Sequence, residues 1–593
     1  MKKHPSSLAA CLMLAAFLPL QLHAADNTWN NGAGNFQWDT TSANWAGPTI
    51  WNQGDKAIFG ATGAGSIGLG TDIYCSDMTF NFSYDLNANG KFLTNESATG
   101  QSVITSAAGT TNNLALSIWG TNSMSFEGPG TTVLLGDSAV NDANHYTGGT
   151  YVRGGTVIVR ATGVANGGVS FGLGNILAID TGATVQIGTQ NDGTVNTVPP
   201  NGQIQQGNGA QLVLTGGTLD ENGNNNNHNY PPFSGTGTIV NNSPHIRAVH
   251  KVSGGTGTPL TGAPYVFTGQ IKDGGPNVTT SQGVAYQLNV DLNGGNYAPM
   301  VWGGSNSFTG FIRLNSGPYG NMIKLIPGGT LGFAPDTNFP ARHILMNSGC
   351  IDLNGTSQKV GYVFTGNNAN SIITNSAIGT TSTLIINNFN ATAFNGAATP
   401  RGIRCALQDD LATGGALAIT KEGSGIQPIG TYSGDGTPLP NNYHGDTTVN
   451  NGILEIASTA GVSPNSAFRL NAPGVLQLDY SGSANVKQLF VNGAQQPNGV
   501  YGAGTTGIEA PNGGTITVTG ATATTPPTLR VSRSGNTLTF SWTGSFKLQS
   551  QTNSLSVGIG TNWFDFPGGG SSPTPVAISP ADATVFFRLD PLP

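Results

Sequence analysis

Charged side chains are scarce in this chain of 593 residues, since Asp, Glu, Lys and Arg together make up only 9% of it. An average soluble protein has roughly 25%. The formal net charge is -7 at pH 7, and lysine and arginine are not gathered into a basic stripe. Nucleic acids and anionic membranes are bound through such stripes. The composition therefore argues against both as partners.

Cysteine is also rare. The four cysteines are Cys11, Cys75, Cys350 and Cys405, and Cys11 lies in an N-terminal apolar run. Without Cys11, the odd number that remains allows at most one disulfide. Cys350 and Cys405 are the plausible pair if they lie on neighbouring turns of the fold, and buried free thiols are the alternative. No Cys-x-x-Cys motif or Cys/His cluster is present, so neither a metal nor a cofactor is predicted.

Long apolar runs are absent except at the N-terminus, where residues 8–20 follow Lys2 and Lys3. A short apolar run between a basic start and small residues is typical of a secretory signal peptide. We expect cleavage after Ala24, which removes residues 1–24 and takes the net charge from -7 to -9 because both lysines are lost. The sequence thus predicts export through the Sec pathway to the outer cell surface or the medium. It predicts no transmembrane segment after cleavage.

Glycine, in contrast, is abundant, with 88 residues, and it recurs at the turns of a sequence pattern that occurs twice. The first copy comprises residues 126–130 (FEGPG) and 146–159 (YTGGTYVRGGTVIV), and the second comprises 421–425 (KEGSG) and 443–456 (YHGDTTVNNGILEI). A repeated strand–turn–strand unit is typical of a stacked fold in which each unit contacts only its neighbours. Alternation of apolar and polar residues between the glycine turns predicts half-buried strands.

These patterns predict an all-β protein: a right-handed parallel β-helix (β-solenoid) followed by a small C-terminal β-sandwich. We expect an aromatic-rich N-terminal β cap over 25–110, the β-helix over 111–520, a linker over 521–527 and the sandwich over 528–593. Polar segments such as 220–229 (DENGNNNNHN) read as flexible loops, because they lack the alternating acidic ligands of a calcium loop. The short strands after 528 resemble a fibronectin type III-like module, with Trp542 in its core.

The two copies, near 124–160 and 419–457, resemble the autotransporter-associated β-strand repeat of proteins secreted by Gram-negative bacteria. Phe267-Thr268-Gly269 and Phe308-Thr309-Gly310 are degenerate echoes of it. The resemblance implies a passenger-type β-helix on the cell surface or released from it. It implies no reaction.

Residues for catalysis are few. Several β-helices cleave polysaccharides, and a hydrolase needs two carboxylates across a groove. Asp409 and Asp410 are adjacent in sequence, so they point to opposite faces of a strand, and a solvated turn is the better interpretation. Basic residues that a lyase could use are scattered, and His444 takes the place that Thr147 has in the other copy; the basic residues are Arg342, His343, Arg401 and Arg404. No catalytic residue is predicted.

We therefore expect a non-enzymatic surface protein that works in adhesion, matrix building or display. Its polar face, rich in Asn and Thr, would contact an extracellular polysaccharide, the surface matrix or a second copy of the chain. A polysaccharide lyase or glycoside hydrolase is the first alternative. The second is a glycan-binding module that uses the N-terminal tryptophans Trp29, Trp38, Trp45 and Trp51, which otherwise form the cap.

Overall fold

The computed structural model describes most of the chain after residue 23. The described residues are 24–46, 49–137, 144–160, 171–172, 176–188, 210–224, 230–253, 264–277, 279–280, 283–293, 299–315, 322–332, 343–365, 371–389, 402–410, 414–430, 439–520, 528–544, 546–554, 556–579 and 584–591. The predicted signal sequence up to residue 23, the predicted linker 521–527, Arg342 and Arg401 lie outside these residues.

The N-terminal rungs are built from short strands in which buried and exposed residues alternate, as in the pattern eBeB of the first strand. Parallel pairing begins at once, because β1 pairs with β3 and β3 with β6. The strands are β1 (Asp26–Trp29), β2 (Gln37–Trp38), β3 (Lys56–Phe59), β4 (Ser66–Leu69), β5 (Ile73–Cys75), β6 (Met78–Phe80), β7 (Asp85–Asn95), β8 (Gln101–Ser106), β9 (Thr111–Gly120), β10 (Ser123–Glu127) and β11 (Thr131–Leu134).

The middle of the chain continues the same stacking. Its strands are β12 (Thr150–Val152), β13 (Thr156–Val159), β14 (Ile176–Asp180), β15 (Thr184–Ile187), β16 (Gln211–Thr215), β17 (Thr218–Asp220), β18 (Phe233–Gly235), β19 (Thr238–Asn241), β20 (Ala248–Ser253), β21 (Tyr265–Phe267), β22 (Gln270–Asp273), β23 (Thr279–Thr280), β24 (Gly283–Val284), β25 (Leu288–Asn293), β26 (Met300–Trp302), β27 (Ile312–Asn315), β28 (Met322–Leu325) and β29 (His343–Asp352). The short β23 and β24 form an antiparallel hairpin.

The last rungs end in a pair of local antiparallel contacts, β42 with β43 and β44 with β46. Their strands are β30 (Gln358–Val360), β31 (Tyr362–Thr365), β32 (Ser371–Thr374), β33 (Thr381–Asn387), β34 (Ala406–Leu407), β35 (Ala416–Glu422), β36 (Ile426–Ile429), β37 (Thr447–Val449), β38 (Ile453–Ile456), β39 (Ala467–Leu470), β40 (Val475–Leu478), β41 (Ser483–Val486), β42 (Gln488–Val491), β43 (Ala494–Gln495), β44 (Gly499–Tyr501), β45 (Ile508–Glu509) and β46 (Thr515–Val518). A 3-10 turn lies at Thr459–Gly461.

The strands stack in parallel columns, which confirms the predicted parallel β-helix. One column begins β1-β3-β6-β8-β10-β12-β14-β16. A second runs β2-β4-β7-β9-β11-β13-β15-β17-β19-β22. The inward side chains of the columns form one apolar core that extends from Trp29 to Val518. The outward side chains of each strand are left on the surface of the rod.

The two sequence repeats occupy equivalent places in this fold. A buried tyrosine hydroxyl lies beside a threonine hydroxyl in both copies, Tyr146 with Thr150 at 2.6 Å and Tyr443 with Thr447 at 2.7 Å. The corner glycines match as well: Gly155 has φ 61° and Gly452 has φ 64°. A side chain is strained at such positive φ, so the spacing of glycine in the repeat sets where the chain turns.

The C-terminal residues form two antiparallel three-stranded sheets around a separate core. The strands are β47 (Arg530–Ser534), β48 (Thr537–Ser541), β49 (Phe546–Thr552), β50 (Phe564–Asp565), β51 (Thr574–Ala577) and β52 (Val585–Pro591), in the orders β47-β48-β51 and β50-β49-β52. Trp542 is buried there with Phe540, Phe546, Leu548 and Val576. The resemblance to a fibronectin type III-like module stays a prediction, as do the domain boundaries.

The three described cysteines are buried free thiols, and the condition for pairing Cys350 with Cys405, a position on neighbouring rungs, is not met. Cys350 is in register with Ile372, and Ile372 with Ala406, the neighbour of Cys405. The two cysteines are thus two rungs apart, about 9 to 10 Å, beyond the reach of a disulfide. Burial raises the pKa of both thiols to about 12. The alternative of buried free thiols is the one that the structure contains.

Candidate functional site: the outer face of the β-helix

The four N-terminal tryptophans are buried, with exposed fractions of 0 to 1%. Trp45 lies at their centre, with ring centroids 5.2 Å from Trp29, 5.3 Å from Trp38 and 4.7 Å from Trp51. Mostly edge-to-face and tilted contacts of this kind are the preferred geometry of packed aromatic rings. No face of these indoles is open to a sugar ring. The structure therefore assigns them to the core of the first rungs and not to a glycan platform.

Asp409 and Asp410 do not form a catalytic pair. The Asp409 carboxylate is buried, lies 2.6 Å from Nδ1 of His444, and accepts the backbone N–H of Leu417 at 2.8 Å. Asp410 lies in a tight turn, bridged to Gly415. The prediction of a solvated turn is wrong for Asp409, because its carboxylate is buried and contacts His444, which holds the loop of His444 against the rod.

Residues 220–224, the described start of the polar segment 220–229, are also better ordered than the sequence indicates, and residues 225–229 lie outside the described residues. Glu221 is fully buried, and its carboxylate accepts hydrogen bonds from the Tyr230 hydroxyl at 2.7 Å and the Asn224 amide at 2.9 Å. Nδ1 of His250 lies 2.6 Å away, and the imidazole stacks on Tyr230 with centroids 4.4 Å apart. Burial, followed by the charge of Glu221, raises the pKa of Tyr230 well above its ordinary value. This cluster is closed to solvent, so it can anchor the chain but cannot reach a substrate.

Lys421 is a buried basic residue. It is fully buried at the place that Phe126 fills in the other repeat, and its Nζ donates to the carbonyl oxygens of Gly423 at 2.7 Å and Asn451 at 3.2 Å. Burial lowers the pKa of this ammonium to about 8 from 10.5, against the opposing effect of Glu422.

The low pKa of Lys421 predicts a pH-dependent stability. Between pH 8 and 10.5 the unfolded state binds more protons than the folded state, so stability rises with pH in this window. Compared with Lys421→Met, the wild type should gain on the order of 2 to 3 kcal/mol of unfolding free energy across it. Denaturant titrations of both proteins at several pH values measure the difference. Lys56→Met, at a partly exposed lysine, is the control, and its stability should depend on pH as that of the wild type does. The prediction would be contradicted if the stabilities of the wild type and Lys421→Met changed with pH in parallel.

The outer face carries a column of aligned threonines. Each is in register with the next on consecutive rungs of the second column of strands, and the members are Thr111, Thr131, Thr156, Thr184, Thr218 and Thr238, followed by Gln270. All are exposed or half-buried, whereas their neighbours along the strands, such as Val157 and Val185, are buried. Rungs repeat at about 4.8 Å, so the column presents hydroxyl groups at that spacing.

Other outward positions also pair from rung to rung. The amide of Asn315 donates to Asn293 at 3.2 Å, and that of Asn347 donates to Asn315 at 2.6 Å. The few charges follow the same rule, since Arg153 lies between Glu127 at 3.4 Å and Asp180 at 3.9 Å. Opposite charges thus neutralise each other on the surface, and most of the outer hydrogen-bonding groups are uncharged.

Within the described residues, no cluster of three or more His, Cys, Asp or Glu side chains could hold a metal ion. Among the helices of those residues, none has the length and apolar character needed to cross a membrane.

Comparison with known proteins finds one short similarity. The Adhesin BmaC autotransporter of Brucella suis biovar 1 (strain 1330) is 35% identical to this chain over 157 residues, which is 23% of this chain and 4% of that protein. The chain therefore spans a small fraction of the length of the relative it matches. No family model and no solved structure matches the chain. The strand pairings define a parallel β-helix, and the similarity to an adhesin autotransporter is consistent with that fold.

Proposed function

We propose that this chain is a non-enzymatic adhesin, exported to the outer cell surface, that binds an extracellular polysaccharide or matrix through the outer face of its β-helix. The observation that carries the proposal is the threonine column. Hydroxyl groups repeated at a constant interval offer many weak and identical hydrogen bonds, which add up along a polymer that is itself periodic. The similarity to an adhesin autotransporter supports the surface role.

The scarcity of charge supports the same partner. An uncharged outer face gains little from a charged ligand, but hydroxyl and amide groups pair well with the hydroxyls of a glycan. The enzymatic alternative has less support, because Asp409 is engaged with His444 and Leu417 and Glu221 is buried.

The test is adhesion of beads coated with the chain from Ala25 to Pro593, on surfaces carrying neutral or acidic polysaccharides. We expect retention that changes little with ionic strength, because screening weakens only charged contacts. The triple variant Thr156→Val, Thr184→Val and Thr218→Val removes hydroxyls at nearly constant volume. At about 1 kcal/mol for each hydrogen bond, retention should fall at least tenfold.

Thr79 and Thr105 lie in the other column of strands, so the variants Thr79→Val and Thr105→Val serve as matched controls. Beads coated with these variants should be retained as well as beads coated with the wild type. Release of reducing ends or unsaturated sugars by the wild-type chain would instead make it an enzyme. If the wild-type chain adheres to none of these surfaces, the proposal is rejected.

A further inference from the structure

Exposed aromatic side chains are concentrated in the first rungs. Among the described residues, the large aromatic side chains that are most exposed are Phe36, Tyr74, Phe82, Phe92, Trp119 and Phe564. All but the last lie between residues 36 and 119. Isolated exposed apolar residues are normal on a protein surface, whereas a group on one face marks a binding surface.

Three of these residues share one strip because of the strand register. Tyr74 of β5 is in register with Thr94 of β7, and Thr94 is in register with Trp119 of β9. Their neighbours Ile73, Leu93 and Ile118 are buried, so the three side chains point outward. Tyr74 and Trp119 are thus two rungs apart, about 9 to 10 Å, with the short side chain of Thr94 between them. Phe92 lies two positions from Thr94 on the same face.

The strip is held in place by its surroundings. Trp119 stacks on His145 with ring centroids 4.2 Å apart and an interplanar angle of 22°, and Phe92 meets it at 5.1 Å and 62°. The backbone N–H of Phe92 donates to Asp72 at 3.1 Å, and that of Tyr74 donates to Gln53 at 2.8 Å. After this packing Tyr74 is still 39% exposed and Trp119 37% exposed. Rings fixed before a ligand arrives lose little conformational freedom when it binds.

We propose that the strip Tyr74–Phe92–Trp119–His145 is a binding site for an extended, uncharged, β-linked polysaccharide. The apolar C–H face of a pyranose ring stacks on an aromatic ring, and the polar edge of the aromatic residue stays wet. In a β-linked chain successive sugars alternate in orientation, so two aromatic rings separated by a gap contact alternate sugars, while Thr94 offers a hydroxyl to the sugar between them. No residue named in the strip is an acid, lysine or arginine, and this favours a neutral glycan over an acidic one.

This inference rests on the proposed adhesive function and adds to it a ligand class and a place on the rod. It predicts that the wild-type chain binds cellohexaose, mannohexaose or xylohexaose, whereas α-linked maltohexaose and acidic polygalacturonate bind at least tenfold more weakly. Trp119→Ala and Tyr74→Ala should each weaken binding of the β-linked oligosaccharides at least tenfold. Phe82→Ala, at an exposed aromatic residue outside the strip, is the matched control and should bind as the wild type does.

Isothermal titration gives the affinities, and tryptophan fluorescence with acrylamide gives a second, independent readout. A glycan that covers Trp119 should protect part of the emission from quenching, and Trp119→Ala should abolish that protection while its circular dichroism matches the wild type. Trp119→Phe retains a ring and should recover most of the affinity.

Three outcomes would overturn the inference. The first is binding that is unchanged in Trp119→Ala and Tyr74→Ala; adhesion that still depends on the threonine column would then leave the proposed function standing. The second is a preference for polygalacturonate. The third is a wild-type chain that binds no β-linked oligosaccharide but whose self-association is lost in the strip variants, which would assign the strip to contact between copies of the chain.

Discussion

Replacement of Trp45 by alanine is expected to open the first rungs of the β-helix while the later rungs stay folded. Trp45 is 1% exposed and contacts the rings of Trp29, Trp38 and Trp51. Truncation of a buried tryptophan costs about 3 to 5 kcal/mol. In a stacked fold each rung depends chiefly on its neighbours, so this loss stays near the N-terminal end.

Hydrogen exchange followed by mass spectrometry measures the effect rung by rung. Peptides from residues 26–80 should lose protection by about 150- to 5,000-fold, which corresponds to that free energy. Peptides from residues 447–491 should be unchanged. Trp119→Ala is the matched control, because its ring is partly exposed and its loss should affect glycan binding more than exchange. Uniform loss of protection along the whole rod would contradict the prediction of local coupling.

Removal of the Glu221 carboxylate is expected to destabilise the middle of the rod. In Glu221→Ala, the Tyr230 hydroxyl, the Asn224 amide and Nδ1 of His250 lose their shared acceptor in a site that water does not reach. Removing one member of a buried, hydrogen-bonded charged group costs about 3 to 5 kcal/mol. Chemical denaturation, followed by circular dichroism, should show a lower midpoint, and exchange should rise in peptides from residues 211–253.

The control for this change is Glu127→Ala. Glu127 pairs with Arg153 on the surface with 36% of its side chain exposed, and exposed ion pairs contribute about 0 to 1 kcal/mol. Glu221→Gln keeps the shape and an acceptor oxygen, so its loss of stability should be smaller than that of Glu221→Ala. A Glu221→Ala protein as stable as Glu127→Ala would show that the buried cluster does not hold the rod together.

Much of the architecture follows from local sequence patterns. The glycines of the repeat lie at corners with positive φ, as Gly155 and Gly452 do, and the apolar residues that alternate between them face the core. These features depend on near neighbours along the chain. The sequence therefore predicts the parallel β-helix and the equivalence of the two copies.

Functional positions depend on register, and the sequence predicts them poorly. Tyr74, Thr94 and Trp119 come from three rungs of unequal length, so no regular spacing in the sequence predicts the strip. Glu221 is equally hard to predict, because the sequence places it in a polar segment and only the fold brings Tyr230 and His250 to it. The sequence does not distinguish an exposed aromatic residue from a buried one, and for this reason the four N-terminal tryptophans are plausible candidates for glycan binding when only the sequence is considered.

The short strands, the glycine corners, the parallel stacking and the scarcity of charge all follow from the sequence, because turn conformation and alternation are local properties. Which side chains meet depends on the three-dimensional fold. Register between rungs placed Cys350 too far from Cys405 for a disulfide, aligned the threonines in one column, buried the N-terminal indoles and left Trp119 at the surface. The register between rungs depends on the lengths of all the segments that connect them, and packing of the whole core sets it.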